Sequence, residues 1–344
     1  MDIKNGINVL SLFDGMSCGQ IALERAGIKV NNYFASEIDK YAIKVTQTNY
    51  PNTIQLGDVT KVLGKNLPKI DLLMGGSPCQ GFSFAGKGLN FEDPRSKLFF
   101  EFVRLKNEIQ PKYFLLENVV MKKEYQKVFS EYLGVEPILI NSNLVSAQNR
   151  KRLYWTNINQ KSIILQPKDK GIKLKDILET EIDEKYYLSD KLIKYITNKK
   201  RLERRFTAID GEKSLPMMAN YFNSTNGSFC VDCNGRIDEY KTGTITSSYH
   251  KGTETNGSRP FIKEKSKCFT AGGNSGGKHS DMDLIPCNDR IRRLTPIEVE
   301  RLQTVPDNYT ECVSNTQRYK MLGNGWTVDV IAHIFKHLLL CPEN

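Results

Sequence analysis

Through the first 160 residues, short β-branched runs alternate with stretches of helical spacing, the pattern of βαβ units laid on a parallel sheet. Asn8 to Phe13 reads as a first strand, followed by a glycine-containing turn and a helix through Ile21-Ala22-Leu23-Glu24 that Gly27 closes. Tyr33 to Glu37 reads as a second strand, and Asp39 to Tyr50 as a helix stopped by Pro51. Thr53–Leu56, Ile70–Met74, Tyr113–Leu116, Ile138–Ile140 and Arg152–Trp155 complete the expected strands. Past residue 160 the pattern changes. Lys168 to Lys200 is charged and reads as mostly helical, and the basic cluster Lys199, Lys200, Arg201, Arg204 and Arg205 follows. From 206 to 285 the chain is rich in Gly, Ser, Thr and Asn, with little periodicity. Order returns at Thr295-Pro296, where Thr295 as N-cap, Pro296 at N1 and Glu298 at N3 announce a helix. A closing apolar helix is expected over Val328–Leu340, packing back on the first unit. The division this predicts is one body from 1–160 and 290–344 and a smaller, irregular lobe from 161–289.

Composition narrows the class. The chain has 344 residues, enough for one substantial core and a second lobe, and 39% hydrophobic content suits a globular protein. No run approaches the ~20 apolar residues of a membrane span, and the N-terminus lacks a secretory pattern. The expectation is therefore a cytoplasmic protein without a membrane partner. A net charge of +10 favours a polyanionic partner, since Lys and Arg on phosphates release counterions. Eight cysteines include one C-x-x-C, Cys230 to Cys233, with Cys268, Cys287, His250 and His279 downstream. No second close ligand pair accompanies it, so reduced cysteines and no metal are expected.

Two candidate sites lie at strand ends. Phe13-Asp14-Gly15-Met16-Ser17-Cys18-Gly19 sits between a strand and a helix, where glycines let backbone approach a ligand. Glu37, at the end of the next strand and roughly 20 residues on, can accept from both hydroxyls of a ribose. Asp58 can accept from an adenine amino group while Val59 packs on the ring. The turn is no G-x-G-x-x-G and no basic residue is placed for a diphosphate, so a phosphate-free adenosyl ligand suits it better than NAD. The second site follows the fourth strand at Gly75-Gly76-Ser77-Pro78-Cys79, which holds a thiol on the carboxyl edge of the sheet. Glu117-Asn118-Val119 ends the fifth strand, and Arg150 and Arg152 fall on one side of an extended segment. Taken singly, these read as a structural cysteine, a capping glutamate and a solvated basic run.

Taken in order, they carry a resemblance. Phe13-x-Gly15, Pro78-Cys79-Gln80, Asp93-Pro94-Arg95 with Leu98-Phe99-Phe100, Glu117-Asn118-Val119, Gln148-x-Arg150-x-Arg152, Arg293-Leu294-Thr295-Pro296 and Gly323-Asn324-Gly325 follow the order of the cytosine-C5 DNA methyltransferase family. Only about 160–290 falls outside the match. The Phe13-Asp14-Gly15 turn and the Gly325-Trp326 ending look more like the animal de novo enzymes and similar phage or bacterial ones. The resemblance implies an α/β, Rossmann-like S-adenosylmethionine-dependent methyltransferase fold with a mostly parallel sheet, and a target-recognition role for the 161–289 lobe. It implies that Cys79 attacks C6 of cytosine, that Glu117 binds N3 and the exocyclic amine, and that Arg152 holds O2. Arg150 would position the thiolate or a neighbouring phosphate, and Asn118 would order the Pro78-Cys79 segment. The cofactor would lie along Phe13 to Gly19, Glu37, Ile38, Asp58, Val59, Pro78, Leu98, Asn324 and Trp326. The base must be flipped out of the duplex, and Gln80, Ser83 and Lys87 in or beside a Gly81–Gly88 lid would meet the DNA. The implied partners are duplex DNA, bound by a monomer, and a cognate restriction endonuclease. An RNA cytosine methyltransferase of the same fold and a catalytically silent DNA-binding protein are the rival readings. Amino-group methylation is disfavoured, because no Asp/Asn-Pro-Pro-Tyr/Phe motif occurs.

Overall fold

The computed structural model describes residues 5–78, 97–158, 164–189, 284–287 and 290–339, with 284–287 and 290–291 described by their backbone alone. Strands β1 (Ile7–Leu12), β2 (Val30–Ser36), β3 (Ile54–Gln55), β4 (Leu72–Gly75), β5 (Tyr113–Val119), β6 (Ile138–Asn141) and β7 (Lys151–Thr156) form one seven-stranded sheet in the order β3-β2-β1-β4-β5-β7-β6. All pairs are parallel except those of β7, which runs antiparallel to both β5 and β6. This is an α/β, Rossmann-like arrangement with a mostly parallel sheet.

Buried on both faces, the central strands alternate their contributions to two apolar layers. Val9, Leu72, Met74, Leu115 and Tyr154 join one layer. Leu10, Leu12, Leu73, Leu116, Leu153 and Trp155 join the other. The first layer is covered by α1 (Cys18–Arg25), α2 (Lys40–Asn49) and the tail helices α5 (Pro296–Leu302), α6 (Asn315–Asn324) and α7 (Val328–Lys336). The second is covered by α3 (Lys97–Ile109) and α4 (Lys123–Leu133), where Phe99 stacks on Phe129 at a centroid distance of 3.8 Å.

The predicted stop signals work as expected. Asp39 caps α2 through Tyr41 N, Gly27 turns left-handed at φ 73°, and Thr295 and Glu298 form a reciprocal capping box at α5. α7 packs on α1, with the Arg25 guanidinium 2.6 Å from Asp329, so the end of the chain closes on its beginning.

One expectation fails. Residues 168–189 are not helical; they run irregularly, with single 3-10 turns at Leu174–Ile177 and Glu184–Tyr186. Gly171 in the left-handed region and extended backbone at Lys173 and Leu178 break any longer helix. The stretch instead tucks Leu174 and Ile177 into the core, and Glu179 N donates to Glu298 at 2.9 Å. Strand β9 (Arg290–Arg293) pairs antiparallel with β8 (Leu284–Cys287) just before α5. Residues 190–283, the bulk of the expected recognition lobe, with the basic cluster, Cys230 and Cys233, lie outside the described residues.

The topology sets the site. The strand order reverses between β1 and β4, whose ends meet at Leu12 and Gly75, and ligands bind at such crevices. Because β7 is antiparallel, its first residues rather than its last lie on this carboxyl edge, bringing Arg152 opposite Val119.

Candidate active site

The turn after β1 is wound tightly. Phe13 (φ 57°), Gly15 (φ 59°) and Ser17 (φ 61°) all adopt left-handed backbone, which costs on the order of 1–3 kcal/mol at each non-glycine. Side chains from elsewhere hold it. Tyr33 and Ser17 donate their hydroxyls to the two oxygens of Asp14, and Tyr309 donates to Met16 O at 2.8 Å. Gly15 N donates to Glu37 Oε2 at 2.8 Å, while Glu37 Oε1 accepts from Ile38 N and Asp39 N. Asp58 Oδ1 accepts from the Thr60 amide and hydroxyl, which lowers the Asp58 pKa. Val59 is buried behind Asp58. Burial pushes the Cys18 thiol up to about 12, with the Trp326 backbone and Arg150 opposing the rise and Asp14 adding to it. Such a thiol is inert.

Across the crevice lies a second set. Glu117 is 9% exposed, and its Oε1 lies 2.9 Å from Arg152 Nε. A Cβ built on Gly76 would stand 3.2 Å from Glu117 Oε2 and 2.9 Å from Trp326 Nε1. These two side chains therefore close over a backbone that only glycine leaves bare. Buried Asn118 donates to Ser77 O at 3.3 Å and Ser77 Oγ at 3.1 Å, directly before Pro78.

Arg150 and Arg152 do not share a task. Arg150, 4% exposed, donates to Gly323 O at 3.3 Å and Gly325 O at 3.0 Å, tying β7 to the end of α6. Gln148 ties the same segment to the end of α5 through Leu302 O at 3.2 Å. Leu98 lies half-buried in α3, and Asn324 is exposed at the end of α6 beside Trp326. Cys79, Gln80, Ser83 and Lys87 lie outside the described residues; Cys79 follows Pro78 in the chain. Tyr33 and Tyr309 went unnoticed in the sequence, because nothing local marks a tyrosine whose hydroxyl serves a turn 19 or 293 residues away.

The family model for C-5 cytosine-specific DNA methylase matches residues 7–339. The chain belongs to that family. The enzyme is 33% identical to the type II methyltransferase M1.ScrFI of Lactococcus lactis subsp. cremoris, over 96% of this chain and 77% of that relative. It is 31% identical to the orphan methyltransferase M.SPRI of Bacillus phage SPR, over 97% of each. Its fold is similar to that of the Entamoeba histolytica methyltransferase EhMeth, with a TM-score of 0.68 at 18% identity over 97% and 98% of the two chains. A Spodoptera frugiperda DNMT2 mutant gives 0.66 at 19% identity over 97% and 99%. The enzyme is thus a DNA cytosine-5-methyltransferase, and membership implies S-adenosylmethionine as methyl donor.

The first site fits that donor. A Cβ on Gly15 or Gly57 would meet nothing within 4 Å, so the backbone next to Glu37, which accepts from Gly15 N, and next to Asp58 in the chain is open. The turn from Phe13 to Gly19 carries no Lys or Arg. Ile38, 77% exposed, stands next to Glu37 as an unusually bare apolar side chain. Acidic and apolar surroundings suit a cation with an aromatic base and disfavour a phosphate.

Proposed function

We propose that the enzyme methylates carbon 5 of a cytosine everted from duplex DNA, at one short sequence, through a transient bond between Cys79 and C6. The observation that carries this reading is the Glu117–Arg152 pair at 2.9 Å, set at the carboxyl edge of β5 beside the Gly76-Ser77-Pro78 segment that leads to Cys79.

Carbon 5 of cytosine is a weak nucleophile, so the ring must first gain electrons. The Cys79 thiolate adds to C6, breaking the C5–C6 double bond, while Glu117 binds N3 and the exocyclic amine and supports charge at N3. Arg152 serves both partners: it fixes the Glu117 carboxylate and holds the O2 edge of the base. S-adenosylmethionine, when bound, supplies a methyl group on an electrophilic sulfonium. Loss of the C5 proton to a base then restores the double bond and expels Cys79. Asn118 orders the approach to Cys79 through Ser77. Arg150 acts at one remove, by anchoring the segment that carries Trp326. Glu37, Asp58, Val59, Ile38 and the Phe13–Gly19 turn would hold the donor, with Pro78, Leu98, Asn324 and Trp326 along its other side.

Sequence specificity we assign to residues 161–289, whose Arg, Lys, Asn, Ser and Thr suit base edges and phosphates. Gln80, Ser83 and Lys87 join them at the DNA. Bisulfite sequencing of DNA from cells expressing the protein tests the reading, with duplex DNA and tRNA compared in vitro. Protected cytosines at one short motif, absent with the Cys79→Ser variant, are expected. Methyl transfer to tRNA but not to duplex DNA would overturn it.

A further inference from the structure

Asp14 occupies the centre of the cofactor turn, yet its carboxyl faces inward. Tyr33 donates to Oδ1 at 2.7 Å, and the Ser17 hydroxyl donates to Oδ2. Ser17 is held in turn by Gln20, whose amide donates to Ser17 Oγ at 3.0 Å and to Thr53 Oγ1 at 2.8 Å. The backbone is fastened at the same place: Asp14 N donates to Ser36 O at 3.2 Å, and Ser17 N to Asp14 O at 3.1 Å. The left-handed residues Phe13 and Ser17 stand on either side of this hub, and Gly15, the next residue, donates to Glu37. The titratable groups acting on Asp14, or on which it acts, come from several elements. They are Tyr33 on β2, Glu37 just beyond it, Cys18 on α1, and Tyr309 between α5 and α6.

A neutral serine or asparagine network could hold a tight turn without charge. A half-buried carboxylate accepting two hydroxyls does so at an electrostatic cost, and a cation bound nearby offsets that cost.

We propose that Asp14 is a positioning residue: its ionised carboxylate, gripping Tyr33 and Ser17, keeps the Phe13–Gly19 turn in the shape that receives the cationic methyl donor, so donor affinity follows the charge of this one group. The proposal rests on the reading of this turn as the S-adenosylmethionine site. Burial pushes the Asp14 carboxyl up to about 6, opposed by the hydroxyls of Ser11, Ser17 and Tyr33 and assisted by Glu37. A bound sulfonium favours the ionised form and shifts its titration downward. By linkage, affinity is full above about pH 7 and falls as pH drops through 6; at pH 5 donor binding is about fivefold weaker.

The test is calorimetric binding of S-adenosylmethionine between pH 5 and 7.5, with steady-state kinetics beside it. For the intact enzyme, Kd rises about fivefold on acidification to pH 5. Asp14→Asn keeps the shape and removes the charge. It should bind about tenfold more weakly at pH 7.5, lose the pH dependence, and raise the donor KM while kcat changes less than about twofold. It should also melt no lower than the parent at pH 7.5. A carboxyl with a raised folded pKa contributes less stability above that pKa, and removing its charge offsets the hydrogen bond that the Asn amide nitrogen, unable to accept from a hydroxyl, gives up. A merely structural hub would melt lower at every pH and leave no KM-against-kcat split. Tyr33→Phe is the second variant: losing a hydrogen bond to the carboxylate should move the affinity midpoint upward in pH. A flat profile in the intact enzyme, or an unchanged midpoint in Tyr33→Phe, overturns the proposal. Failure of the intact enzyme to bind S-adenosylmethionine at any pH overturns the reading of the turn itself.

Discussion

Alanine at Gly76 is the sharpest perturbation the site allows. The added Cβ would lie 2.9 Å from Trp326 Nε1 and 3.2 Å from Glu117 Oε2, closer than real Cβ atoms tolerate on the tryptophan side. Neither neighbour yields easily. The indole is a rigid plane packed against the core, and Glu117 is held by Arg152 at 2.9 Å. Overpacking of this kind costs about 1–3 kcal/mol, relieved by displacing one or both side chains. In a chain of this length that is a fall of at most a few degrees in Tm. The catalytic cost is larger, because misplacing a reacting group by about 1 Å can cost ~100-fold in rate. A fall in kcat of about 10- to 100-fold is expected, read from initial rates of methyl transfer into duplex DNA with labelled donor, beside a thermal melt. Gly75→Ala is the control. Its Cβ would meet Leu12 O, a backbone atom of the paired strand, at 2.9 Å and Phe102 at 3.2 Å, so it should chiefly lose stability. A folded Gly76→Ala enzyme with near-parental kcat would refute the claim that Glu117, held close over Gly76 beside Trp326, acts on the reacting base.

Two further outcomes follow from the same geometry. Arg152→Ala removes the cation beside buried Glu117 and should lower kcat by about 100- to 1000-fold, the scale of losing one preorganised charge partner; rates within a few-fold of the parent would contradict its role. Cys79→Ser should abolish methylation while S-adenosylhomocysteine binding by calorimetry survives, and loss of that binding would detach Cys79 from the chemistry.

How far the sequence revealed this depends on range. The strands of the first half were legible because both-face burial leaves short, continuous apolar runs, as in Leu72-Leu73-Met74. The α5 cap was legible because Thr295, Pro296 and Glu298 are a local device. That Glu37 ends the strand next to the turn was legible from its spacing, and its carboxylate does accept from Gly15 N. The insertion of β7 between β5 and β6 was not, because antiparallel pairing across the sheet leaves no local mark. For the same reason the arginines looked alike at Arg150 and Arg152. One answers to carbonyls at Gly323 and Gly325, the other to Glu117, and both partners are remote in sequence. Lys168–Tyr187 failed differently. Its composition favours a helix, but left-handed Gly171 and extended Lys173 and Leu178 confine it to a single turn, which still puts Leu174 and Ile177 into the core.

The central claim, a sulfur–carbon bond to an everted cytosine beside Glu117 and Arg152, is tested most directly by trapping. A duplex carrying 5-fluorocytosine at the site found by bisulfite sequencing, incubated with enzyme and S-adenosylmethionine, should yield a complex that survives denaturing electrophoresis and maps to Cys79. Fluorine at C5 cannot leave as a proton, so the final expulsion of the thiolate is blocked. Turnover on ordinary cytosine with no such complex on the fluorinated duplex would contradict the account.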